Sequence, residues 1–81
     1  MKRYFNAYRD KDGTDFHGTP WIDELSSKKK TVAMLSNISL KEQGYKEVKC
    51  FEVYEDDIPE IITWDYVKEH EIVNYKDVYV I

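Results

Sequence analysis

Alternating apolar and polar positions open the chain. From Arg3 to Arg9, Tyr4, Asn6 and Tyr8 alternate with Phe5 and Ala7, the period-two pattern of a strand. Asp10-Lys11-Asp12-Gly13 follows and predicts a turn, because Gly13 takes a positive φ at no steric cost. Thr14 to Trp21 carries Gly18 and Pro20 and reads as a loop or a short paired strand. A helix is expected from Ser26 or Ser27, whose hydroxyls offer an N-cap. Val32, Leu35 and Ile38 form its apolar stripe with Lys28 opposite, and Asn37 or Gly44 ends it. Residues 45–54 read as a strand with a doubled phase. Val48 and Cys50 share one face while Phe51 and Val53 share the other, so either both faces are covered or a bulge near Cys50 and Phe51 switches the pattern.

Asp56 to Glu60 is a breaker with helix-start chemistry. Asp57 and Glu60 have capping-box spacing, and Pro59 suits a first helical turn. A short helix is expected from about Thr63 to His70, with Trp64 and Val67 inward and Asp65 near the positive end of the helix dipole; the β-branched run Ile61-Ile62-Thr63 makes a strand the alternative. Tyr75 to Ile81 alternates as a last strand. The sum is a single α+β domain over residues 1–81, with three or four mainly antiparallel strands and two short helices, in an order near ββαβαβ.

Composition fits so small a domain. A chain of 81 residues buries only about 60% of its unfolded surface, and seven Tyr, three Phe and two Trp supply dense apolar payload against that limit. A homodimer is a further source of burial. The lone Cys50 forms no internal disulfide and sits in no zinc spacing, which fits a reducing compartment. No segment has signal-peptide or membrane-spanning character, so a cytoplasmic protein is expected.

Charge adds what pattern does not. Residues 1–50 carry ten Lys/Arg against seven Asp/Glu, a balance of +3; residues 51–81 carry nine acids against Lys68 and Lys76, a balance of −7. The acids of the second part alternate with Tyr, Trp, Ile and Val, so they belong to a folded surface rather than a solvated tail. Such a face can repel nucleic acid, keep the protein soluble or attract a basic partner. Carboxylates two apart on a strand stand about 6.8 Å from each other, a partial imitation of the phosphate charge of DNA. The residues expected to carry this are Glu52, Glu55, Asp56, Asp57, Glu60, Asp65, Glu69 and Glu71, with Tyr54 and Tyr66 as apolar anchors.

Other chemistry is thinly represented. Asp10 to Asp15 invites calcium, but its Gly stands fourth and its twelfth residue is Trp21, so the turn alone accounts for it. His17 and His70 lack a second ligand at metal-site spacing, and no metal or cofactor is expected. Glu47-Val48-Lys49 has the E-x-K form of one class of metal-dependent nucleases, with Asp23 or Glu24 as the required upstream acid. Cys50 has no neighbouring base to activate it and reads as a small buried hydrophobe. Lys28-Lys29-Lys30 spreads around a helix start rather than forming a nucleic-acid stripe.

The run D-G-T-D-F-H-G-T-P-W (Asp12 to Trp21), the helix ending in L-S-N and L-K-E-Q-G-Y, and the V-K-C-F-E-V strand together resemble small acidic proteins of tailed bacteriophages. The likeness spans roughly residues 3–55. It implies a stoichiometric, non-enzymatic inhibitor in the cytoplasm of an infected bacterium, binding a basic host protein such as a nucleoid-associated or other DNA-binding protein by DNA mimicry. The basic first half confines such mimicry to one face. Two alternatives stand beside it: an oligomeric accessory phage protein whose acids serve solubility, and a small metal-dependent nuclease.

Overall fold

A computed structural model describes residues 1–26 and 28–72. Strand β1 (Lys2–Arg9) is central. It pairs antiparallel with β2 (Trp21–Asp23) on one side and β3 (Lys46–Tyr54) on the other. Helix α1 (Lys30–Glu42) and the short helix α2 (Trp64–Glu69) complete an α+β domain with a three-stranded antiparallel sheet. The register sets Asn6 opposite Asp23 and Cys50, and Ala7 opposite Ile22 and Lys49. Phe5 faces Phe51 directly, with ring centroids 5.7 Å apart.

The doubled phase of residues 45–54 is explained by two covered faces. Phe5, Ala7, Phe51 and Val53 pack with Trp64 and Val67 on the α2 side. Cys50 packs with Ala33 and Met34 on the α1 side, and Tyr4 and Ile72 lie against them. Full burial of Phe51 and Met34 stabilises the fold by about 1.5–3 kcal/mol each. No bulge is needed at Cys50 and Phe51. The irregularity lies instead at Glu47, whose φ of 47° accompanies the register shift between Ala7 and Arg9.

Helix α1 turns a different face to the sheet from the one its apolar residues suggest. Ala33, Met34, Asn37 and Leu40 are buried, whereas Val32 and Leu35 are 45% and 56% exposed. The buried stripe has helical spacing but contains an asparagine, whose carboxamide is matched by Asn6 on β1. The start also differs. Lys29 occupies the N-cap with no side-chain cap, so the helix begins later than the expected start at Ser26 or Ser27. The end is the glycine expected: Gly44 at φ 97° donates to Lys41 O, and Tyr45 donates to Leu40 O, a Schellman closure.

Two tight turns shape the segment between β1 and β2. Gly13 N donates to Asp10 O, and the Asp12 carboxylate accepts from Thr14 N and Oγ1 at 3.0 and 2.7 Å. Next, Phe16 and Thr19 exchange backbone hydrogen bonds around His17 (φ 51°) and Gly18 (φ 81°). Two successive positive φ values make this a type I′ turn, so the stretch is a miniature paired strand. Asp15 then ties it to the core. Its Oδ2 accepts from Arg9 Nη1 at 2.8 Å and from Trp64 Nε1 at 3.1 Å, and the Arg9 guanidinium stacks on the Trp64 ring.

The expected capping box at Asp57 and Glu60 does not form. Glu55–Asp57 is a single 3₁₀ turn, and Ile58 is extended (φ −78°, ψ 121°) because the residue before a proline is driven out of the helical region. Helix α2 begins later, where Thr63 Oγ1 accepts from Tyr66 N at 3.2 Å, with Trp64 and Val67 inward as expected. After α2 the chain meets the free edge of β3: Glu52 N donates to His70 O and Ile72 N to Cys50 O. The strand expected over 75–81 lies outside the described residues. No helix among those described is long and apolar enough to cross a membrane.

Candidate binding surface

Antiparallel pairing of β1 with β3 folds part of the basic half of the chain onto the acidic half. Lys2 stands opposite Tyr54 and Arg3 opposite Val53, so their side chains reach the acids at the end of β3. Arg3 Nη2 donates to Glu55 Oε1 at 3.0 Å, and Lys2 Nζ lies 3.6 Å from Glu52 and over the Tyr54 ring. Lys49 Nζ lies 3.5 Å from Glu71, whose carboxylate is mostly shielded. Each exposed pair is worth only about 0–1 kcal/mol. The consequence for recognition is larger, because Glu52, Glu55 and Glu71 already have counterions.

The other predicted acids behave differently. Asp56, Asp57, Glu60, Asp65 and Glu69 are exposed, and none forms an ion pair with a basic side chain among the described residues. Asp57 shares a cleft of about 90 Å³ with Lys2, Glu52, Val53, Tyr54, Tyr66 and His70. That cleft gathers four of the ten predicted residues. Tyr66 stacks on His70 at 4.1 Å and meets Phe51 edge-on, and its phenol is pushed up by burial first and by the charge of Asp57 second. Asp65 and Glu69 lie one turn apart on α2, which also carries Tyr66. Glu60 stands apart, lining a second cleft with Glu24.

The remaining candidates do not assemble. Glu47 pairs with Arg9, whose Nε lies 3.3 Å away without hydrogen-bond geometry, and Lys49 pairs with Glu71. Asp23 sits across β1 from both, at least about 10 Å away by strand spacing, and its Oδ2 accepts from Ser36 Oγ on the α1 side. Its pairing with Asn6 and that of Lys49 with Ala7 put the two residues on opposite faces of the sheet. Among the described residues no three His, Cys, Asp or Glu side chains are placed to hold a metal ion. Burial pushes the Cys50 thiol up to about 12.

Sequence reasoning missed the second cleft. It lies between β2 and residues 58–62, with a volume of about 340 Å³, and Phe5, Ile22, Ile58, Ile61 and Ile62 supply its apolar lining. The signal was present in the apolar residues flanking Pro59, but a helix start there would have turned them inward. Comparison with protein-family models, curated proteins and solved structures finds no match for this chain.

Proposed function

We propose that this chain is a non-enzymatic binding protein that meets a basic partner through Asp56, Asp57, Asp65 and Glu69, with Tyr54 and Tyr66 as anchors, in the manner of a phage inhibitor that imitates DNA before a host DNA-binding protein. One observation carries the reading: among the described residues these carboxylates are exposed and form no ion pair, while their neighbours Glu52 and Glu55 are paired with Lys2 and Arg3 of β1. An unpaired carboxylate offers its full charge to an incoming cation, whereas a paired one must first give up its counterion. Tyr54 is exposed beside them and supplies rigid, amphipathic contact area.

Capture from bacterial lysate tests the reading. Wild-type protein should recover a basic protein that the Asp56→Asn/Asp57→Asn/Asp65→Asn/Glu69→Gln variant does not. Equal recovery by both proteins, or recovery of no basic protein by either, sinks it.

A further inference from the structure

We infer that the chain pairs with a second copy of itself by seating the apolar, basic start of one copy's α1 region in the apolar, acidic second cleft of the other. The two surfaces are chemical complements. On one, Leu25 is 93% exposed and Val32 45%, and both line a surface hollow whose charged groups, Lys28, Lys29 and Glu24, leave it net basic. On the other, Ile58 and Ile61 are 41% and 69% exposed, and Glu24 and Glu60 are the only charged lining groups among the described residues. A leucine left almost wholly in water beside two lysines, and an isoleucine-walled cleft flanked by two carboxylates, each lack what the other supplies.

Their placement suits a two-fold dimer. Glu24 lines both surfaces, so the basic patch and the acidic cleft are contiguous on one molecule. A two-fold axis through such a region lets each copy give its basic patch and receive the other's, so every contact occurs twice and the assembly closes. The cleft wall is preorganised, since Pro59 fixes its own φ and holds Ile58 extended, which lowers the ordering cost of association. Lysines facing Glu60 and Glu24 would fix the orientation more than the affinity, and the apolar contact would supply the affinity. This use of Glu60 is separate from the partner face of Asp56, Asp57, Asp65 and Glu69.

Charge reversal tests it, read by sedimentation equilibrium over a concentration series. Wild-type protein should dimerise. Glu60→Lys alone and Lys28→Glu/Lys29→Glu alone should each weaken the dimer roughly tenfold or more, since like charges then meet across the interface. An equimolar mixture of the two variants should dimerise again, because each brings the charge that the other lacks at both contacts. That recovery also shows that both variants are folded. A wild-type protein that is monomeric throughout, a dimer indifferent to either reversal, or a mixture that stays monomeric overturns the inference.

Discussion

Asn37 on α1 donates its Nδ2 to Asn6 Oδ1 on β1 at 3.0 Å, and Asn6 Nδ2 donates in turn to Ala33 O at 2.8 Å, all without contact with water. This pair sets the helix on the sheet. The bonding fixes which end of each carboxamide points where, and it leaves Asn37 Oδ1 without a hydrogen-bond partner among the described residues. The arrangement specifies which face of α1 turns inward, because Val32 and Leu35 could otherwise compete for the core.

Removing either member should therefore strand the other. Asn6→Ala and Asn37→Ala are each expected to destabilise the fold by about 1–3 kcal/mol, since a buried polar group loses its partner. The double variant should cost less than the two single costs together, by about 1 kcal/mol. Urea denaturation of the four proteins measures this, and strict additivity would show that the carboxamides are not coupled.

Cys50 should be chemically silent while the protein is folded. Its thiol lies fully buried against Ala33 and Met34, and its titration is pushed up to about 12, chiefly by burial. Almost no thiolate exists near neutral pH, and a reagent has no path to it. Iodoacetamide labelling followed by mass spectrometry should show modification only in denaturant. Rapid labelling of native protein would contradict this packing.

The first turn carries a small, signed dependence on pH. The Thr14 hydroxyl, and then the Thr14 backbone N–H, hold the Asp12 carboxyl below the ordinary aspartate value of 3.8. A depressed folded-state value means that the ionised form stabilises the turn above the unfolded pKa, and that this contribution disappears as pH falls through the lower, folded value. In an NMR titration Asp12 should titrate below an unperturbed aspartate and shift upward in Thr14→Val. An unchanged midpoint in that variant would remove the hydroxyl as the main cause.

Much of this fold was legible from local pattern. β1, β3, the inward Trp64 and Val67 of α2, and the helix stop at Gly44 follow from alternation, spacing and the φ that glycine permits. The inward face of α1 was not legible, because a buried asparagine reads as polar until its partner on another element is known. Nor was the irregular path after Asp57, where the preference of Ile58 before proline outweighed capping-box spacing. The candidate surface was half legible. Sequence identified the acids, but only the antiparallel register of β1 with β3 separates Glu52 and Glu55, which have counterions, from Asp56 and Asp57, which have none among the described residues.

That separation governs how the salt dependence of partner binding responds to neutralising each set of acids. The affinity of the captured basic partner should be measured at about 50 and about 300 mM salt for wild-type protein, the Asp56→Asn/Asp57→Asn/Asp65→Asn/Glu69→Gln variant and a Glu52→Gln/Glu55→Gln variant. Wild type and the Glu52/Glu55 variant should bind alike and weaken steeply with salt, while neutralising Asp56, Asp57, Asp65 and Glu69 should abolish binding at both concentrations. Equal losses in the two variants, or binding by the four-site variant as tight as wild type, would contradict this reading.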